Sequence, residues 1–480
     1  MIIRMLPLAA LALSAPAAAA PDWAALLRAD VAFYHATQMA NHPGPVNPDD
    51  PGFAARLATA RDKALARAAT VNSAGGYAFA LREMVASFND GHMYLGFGDK
   101  LPLPSRWPGF IAAWHDDALL VRASSPGGPP IGARLVDCDG QNTAALGAAR
   151  VGHWRGNWGL AAQREALGWR VFYDQGNPFI APLRECRFRL GKQVRSYNLQ
   201  WRDAPADFVG QVQRVNSGSL PPIGLRQLPG LGWISASTFT SEAGSDGFKA
   251  LQKLVAGVQR DAPALQSTPR LVFDLRGNHG GSSDWGVQLA NAIWGAGAVA
   301  RARNALDPGV RVTWRASAEN AGMIKDFCAS QTAPGVQASA DTLGWCASIS
   351  TRIAAALAAG EPLFTEPETP PLPVPPGAPA RTRPTFVLVD SACGSACLDA
   401  VDVFTALGAV VVGRTTSADS NYMEVRGVAL PSGMGEFSVP MKVYRGRSRG
   451  SGVAVAPKYR FTGDMADEAG LERWIRQLPG

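Results

Sequence analysis

The sequence predicts an α/β fold, and three observations carry that reading. Residues 385–413, TFVLVDSACGSACLDAVDVFTALGAVVVG, run strand, sharp turn, helix, strand. Residues 270–294 repeat the grammar: an apolar run RLVFDLR, a glycine-rich loop GNHGGSSD, then an amphipathic stretch from Trp285 to Trp294. In the first unit the strand is an almost unbroken apolar run. A parallel strand buried on both faces requires that, whereas a half-exposed strand alternates.

In the 385–413 unit, residues 385–390 are rich in β-branched side chains, and Leu398, Val401, Phe404 and Leu407 recur at helical spacing. Gly408 and Gly413 bracket the second run, 409–412. Ser391, Ala392, Cys393, Gly394 and Ser395 form the turn between strand and helix. A serine among small residues at such a turn can expose its hydroxyl, and the unbonded N–H groups of the helix start can face a developing oxyanion. The plainer alternative is that Ser395 only caps the helix.

Bulk properties narrow the class. The 480 residues are 47% hydrophobic and 18% charged, which suits a globular chain of two or three domains. The net charge of +7 is modest and the basic residues are scattered, so no nucleic-acid footprint is expected. Residues 1–20 read as a signal peptide. Arg4 precedes an apolar segment, and Ala15 to Ala20 offer small-residue cleavage sites, after Ala19 or Ala20. No later run is long enough to span a bilayer, so no integral membrane segment is expected after signal removal, and the location is periplasmic or secreted. Such a compartment permits disulfides, and proximity pairs Cys138 with Cys186, Cys328 with Cys346, and Cys393 with Cys397. The six histidines are dispersed without an HExxH pattern, and neither a metal nor a cofactor is expected.

In chain order, residues 21–100 read as a helical region. Asp22 caps a first helix that His42-Pro43-Gly44 breaks, and helices follow at 53–70 and 76–88. The last ends in Asn89-Asp90-Gly91-His92, a helix-to-strand corner with His92 at its tip. Residues 101–203 change character. A strand pair at 111–122, a turn at 127–130, the run Ile131 to Gly140 and closing strands at 186–201 resemble a PDZ domain, a module that binds peptide ends by strand addition. Residues 211–230 lack periodicity and read as a linker. A strand at 231–239 and a helix at 246–258 open a catalytic domain spanning 204–480. Asp284 is expected to cap the helix after the glycine loop. An insertion at 301–384 holds a helix near 349–359 and a proline-rich surface connection from 362. Phe437 to Tyr444 form a strand and residues 467–478 a final helix.

Four of these segments, in this order, resemble the serine peptidase family of the C-terminal processing proteases and the tricorn core protease. Asn89-Asp90-Gly91-His92 is similar to the DGH element of the tricorn-like branch. LVFDLRGNHGG resembles the DLRGNxGG loop, the Ser395 turn the nucleophile turn, and Gly413 to Ser417 the GxxT motif; the LPSG turn at 430–433 also fits. The resemblance implies a ββα-spiral core, shared with crotonase and Clp-protease architectures, beside an N-terminal helical region and a PDZ-like β-rich domain. It departs in three places. Leu398 stands where an acidic residue is usual, with Asp399 one later, and His279 replaces a proline or glycine. Asp419 fills the position of the lysine in the family's Ser–Lys dyad.

The resemblance thus implies an exported serine peptidase acting on peptide or protein substrates, with Ser395 as nucleophile. Gly280, Gly281 and Ala396 are the oxyanion-hole candidates. Without the dyad lysine, His92 is the expected base, with His279 as runner-up and Lys442 the lysine candidate nearest in sequence. Asp419 or Glu424 would orient the imidazole. A histidine base makes the rate rise with pH through the imidazole range, about 6.5. The competing expectation is a catalytically silent peptide-binding protein on the same fold.

Overall fold

The computed structural model describes residues 21–115, 117–217, 220–306, 308–332, 340–368, 370–377 and 380–479; the expected signal peptide lies outside the described residues. The central sheet has six strands in the order Gly224–Leu228, Leu231–Ser235, Arg270–Asp274, Thr385–Val389, Val410–Gly413 and Tyr459–Arg460. All neighbours pair in parallel except the first, a hairpin partner of the second. Period-two alternation sends Ile234, Phe273, Val387 and Val389 to one face, under the helices Asp246–Arg260, Asp284–Trp294 and Ala396–Ala406. Trp233, Val272, Phe386 and Leu388 go to the other face, under Leu471 and Ile475 of the helix Glu468–Gln477. Burial on both faces is why these strands read as continuous apolar runs.

The N-terminal helices are Trp23–Asn41, Phe53–Arg67 and Ala74–Ala86. Asp22 caps the first, accepting from the Ala25 N–H at 2.9 Å. Their shared core also contains Phe437 and Val439, which belong to the long strand Gly435–Arg445. That strand anchors a second, antiparallel sheet with Leu95–Phe97, Tyr422–Ala429, Arg311–Arg315 and Leu363–Thr365. The expected insertion at 301–384 therefore contributes two strands to a sheet that the N-terminal helices cover. Its helices Ala318–Gln331 and Ala340–Ala359 pack on those strands, and beyond Thr365 the described residues up to 384 form no helix or strand.

The β-rich region is a five-stranded antiparallel path, Phe110–His115, Ala118–Ser124, Arg134–Cys138, Glu185–Leu190 and Gln193–Asn198, with its own core. It fits the PDZ-like expectation. Two local expectations are corrected. Residues 211–230 are not a linker: they hold the end of the helix Phe208–Ser217 and the strand Gly224–Leu228. The helix packs through Phe208 and Val212 on Trp107, Ile111 and Trp169, and the strand is short and half-buried, so neither produces a long period. Asp284 is the first helical residue rather than the cap. Ser283 occupies the cap position and makes no capping bond there, because its hydroxyl donates to Asp399 Oδ2 at 2.7 Å.

Candidate active site

The two strand–turn–helix units lie side by side because Arg270–Asp274 and Thr385–Val389 are adjacent parallel strands. Both loops therefore leave the carboxyl ends of neighbouring strands, where α/β sheets place ligands. Asp390, just past its strand, ties the loops together: it accepts the Gly277 N–H at 3.0 Å and the Ala392 N–H at 3.0 Å. Burial pushes the Asp390 carboxyl up, and these two backbone donors partly offset that. Arg276 is structural. It is buried against Asp274 (2.6 Å), reaches Glu468 (3.0 Å) and donates to the Met465 carbonyl. That pins the glycine loop to the last helix.

Ser395 stands at the N-cap of Ala396–Ala406 with φ +53° and makes no capping hydrogen bond. A non-glycine residue at positive φ is a strained exception. A serine that served only as a cap would spend its side chain on a helix N–H. Here the hydroxyl has no hydrogen-bond partner among the described residues. Its own N–H donates to Asp419 Oδ1 at 3.0 Å. The N–H groups of Cys397 and Leu398 are taken by the carbonyls of Gly394 and Ser395. Ala396 is then the helix-start N–H left without an acceptor among the described residues.

The glycine loop presses on this turn. A Cβ on Gly280 would lie 2.6 Å from Ser395 Cβ and 2.8 Å from Ala396 N, and the backbone is at φ +96°. Only glycine allows that approach. The Gly280 N–H donates to Asn278 Oδ1 at 2.9 Å, while Asn278 Nδ2 donates to the Ala236 carbonyl. Among the loop glycines, Gly281 has the N–H without an acceptor; its neighbours bridge to Phe239 through Gly280 O and Ser282 N. Asn278 went unnoticed in the sequence. An asparagine two residues before a glycine is the signal that could have found it, since such side chains bond the backbone two residues on.

His92 lies in the corner between Ala74–Ala86 and Leu95–Phe97. Its carbonyl accepts from Ser438 Oγ at 2.5 Å, which fixes the corner to the long strand. The carboxylate beside its ring is Asp90, 3.7 Å from Nδ1, and His92 Nδ1 is buried without a hydrogen bond. Asp90 also accepts the His92 N–H at 2.8 Å. Burial raises the Asp90 carboxyl, the His92 charge and N–H pull it back, and Asp419 adds a smaller upward push. Asp419, which accepts the Ser395 N–H, is the group that links this corner to the Ser395 turn, and no hydrogen bond joins His92 to Ser395 among the described residues. Asp90 was read only as part of a motif. Its position two residues before the histidine was the available signal.

The other candidates lie elsewhere. Glu424, at φ +56°, pairs with Lys442 Nζ at 3.0 Å. Burial would lower the Lys442 ammonium, but Glu424, Tyr444 and Glu366 outweigh it and hold it above the ordinary lysine range. A lysine held protonated is a poor base. His279 is exposed and makes no hydrogen bond or ion pair among the described residues. Asp399 receives Arg447 and Arg449 as well as Ser283, and Arg449 also contacts Asp402 and, at 3.8 Å, Asp419. All three expected disulfides are present, Cys393–Cys397 spanning the Ser395 turn. Among the described residues no helix is long and apolar enough to cross a membrane, and no His, Cys, Asp and Glu cluster is arranged to hold a metal ion.

Residues 230–456 match the family model Peptidase family S41. No curated protein matches the sequence. Among solved structures, mature CPAF is similar at TM-score 0.61 and 14% identity, over 95% of this chain and 96% of that one. Mature CPAF complexed with lactacystin is similar at TM-score 0.61 and 15% identity, over 95% and 97%. At such identities the structural likeness speaks for the fold, while the family match covers both the glycine loop and the Ser395 turn. The chain is a serine-type peptidase that resembles the C-terminal processing and tricorn core proteases and matches Peptidase family S41 over residues 230–456.

Proposed function

We propose that this is an exported peptidase that cleaves peptide bonds through an acyl-enzyme on Ser395, with His92 as general base and Asp90 as the carboxylate that orients it. The supporting observation is the strained, uncapped Ser395 packed against Gly280. Ser395 Oγ attacks the peptide carbonyl carbon and its proton passes to the imidazole. The tetrahedral oxyanion is met by the N–H of Ala396 and that of Gly281, or of Gly280 if Asn278 releases it. Collapse expels the amine with the proton from the imidazole, and water then cleaves the ester by the same steps reversed. Asp419 holds the nucleophile's backbone through its N–H. The PDZ-like domain would present peptide ends by strand addition.

A second reading, a catalytically silent peptide-binding protein, is favoured by the absence of a partner for the Ser395 hydroxyl among the described residues. A fluorophosphonate probe separates the two. Stoichiometric labelling of the mature protein that disappears in Ser395→Ala supports the peptidase; absence of labelling in a folded sample supports the silent protein.

A further inference from the structure

A cavity of about 500 Å³ lies between the strands Arg311–Arg315 and Gly435–Arg445 and the helices Ala318–Gln331 and Ala340–Ala359. Trp314, Trp345, Phe327, Met441 and Tyr444 give it an aromatic and apolar wall, and Asp284, Glu366 and Glu424 bring carboxylates to it. Lys442 is the cation among its described lining residues, and it is already committed. It pairs with Glu424 at 3.0 Å and lies over the rings of Trp314 (5.0 Å) and Tyr444 (5.3 Å). Glu366 accepts the Trp314 indole N–H through one oxygen. The cavity is therefore left with two carboxylates, Glu366 and Asp284, that Lys442 does not neutralise by contact.

We infer that this cavity takes a lysine or arginine side chain of the peptide substrate, an inference that rests on the peptidase reading above. The size falls within the usual range for a ligand pocket, roughly 300–1,000 Å³. A basic side chain suits it twice over: its methylene stem covers apolar wall, and its head meets aromatic faces and carboxylates. An acidic side chain would meet like charge. An apolar one of the same length would strip water from Glu366 and Asp284 without replacing it.

Two of the residues that line the cavity are close along the chain to the candidate active site. Asp284 directly follows Ser283, which is bonded to Asp399 on the first turn after Ser395. Glu424 lies five residues beyond Asp419, in the strand Tyr422–Ala429. Its backbone is at φ +56°. Non-glycine backbone is held there only where the surroundings over-determine it, commonly at ligand sites. Glu424 is paired with Lys442, so the lysine is occupied while Glu366 and Asp284 also line the cavity.

The test uses fluorogenic peptides that differ at one position, carrying lysine, arginine, norleucine or glutamate, scanned along the peptide. At one position the lysine and arginine peptides should exceed norleucine in kcat/KM by at least about tenfold, the equivalent of one modest charge contact. Glu366→Gln should erase most of that ratio while keeping an acceptor for the Trp314 indole, and Asp284→Asn should reduce it. In parallel, binding of the lysine and norleucine peptides to Ser395→Ala is followed by tryptophan fluorescence, which needs no turnover. Equal kcat/KM and equal binding for lysine and norleucine at every position overturn the inference, as does a ratio that survives both substitutions. No cleavage and no fluorophosphonate labelling, with selective lysine binding intact, would instead sink the peptidase reading and leave the cavity's preference standing.

Discussion

Replacing Gly280 by alanine places a methyl group against Ser395, the proposed nucleophile. The added Cβ would lie 2.6 Å from Ser395 Cβ, where ordinary contact begins at 3.4 Å, so about 0.8 Å must be found between the loop and the turn. Ala396 N and the Gly394 carbonyl oxygen, each 2.8 Å away, close off the alternative directions. Displacements approaching 1 Å cost about 100-fold in rate, and loss of one oxyanion donor about 100- to 1000-fold. The expected loss of turnover is therefore at least about 100-fold. Stability should fall too, by at least the roughly 1–2 kcal/mol that a left-handed alanine costs, the shift of the turn adding to it. Gly281→Ala is the contrast. Its Cβ would lie 2.0 Å from the Phe239 carbonyl oxygen, which accepts the Ser282 N–H, so the damage falls first on folding. The assay pairs the rate of fluorophosphonate labelling with a thermal melt for each variant. A folded Gly280→Ala protein that labels at the wild-type rate would refute the reasoning, because the loop would then not touch the reacting centre.

The remaining predictions concern other parts of the molecule. Selective reduction of Cys393–Cys397 should slow labelling before the protein melts, since the bridge spans the turn that carries Ser395; peptide mapping under non-reducing conditions that recovers both thiols free would end that idea. His92→Ala should lose acylation across pH 5 to 9 together with its acidic limb, and Asp90→Asn should slow it, whereas His279→Ala and Lys442→Ala should keep that limb; normal acylation by His92→Ala would move the assignment to His279. His42 is fully buried, stacked on Phe53, accepts the Gly44 N–H through Nδ1, and is lowered by burial from 6.5 to about 3. Because the folded state binds this proton less readily, the contribution is complete above pH 6.5 and is lost as pH falls toward 3. The slope should be about 1.4 kcal/mol per pH unit. Denaturation midpoints for wild type and His42→Phe should therefore converge on acidification, and parallel curves would show that His42 is not the group responsible.

Local grammar was enough to identify the two strand–turn–helix units, the helical N-terminus and the three cysteine pairs. Each depends on neighbours in sequence: an apolar run, a helical period, a glycine, two cysteines close in order. The same holds for Ser395 as a turn residue, because small residues flank it. Pairing between elements is a different matter. Residues 211–230 looked like a linker because Gly224–Leu228 alternates only weakly and is defined by its partner Leu231–Ser235. The strands Arg311–Arg315 and Leu363–Thr365 were hidden inside an expected insertion because their partner, Gly435–Arg445, is distant in sequence.

Charge placement was decided the same way. The sequence put Asp419 and Glu424 on equal terms as partners of an imidazole. Packing brings Asp419 to the Ser395 N–H, sends Glu424 to Lys442, and leaves Asp90 beside His92. It also takes the Gly280 N–H out of use through Asn278. The sequence by itself determined which residue types stand at the turns, because backbone conformation and helix capping are settled within a few residues. Only the tertiary structure decided which carboxylate faces which base and which N–H groups remain without acceptors. Those depend on distances across strands and helices far apart in the chain, where a shift of one or two ångströms exchanges one partner for another.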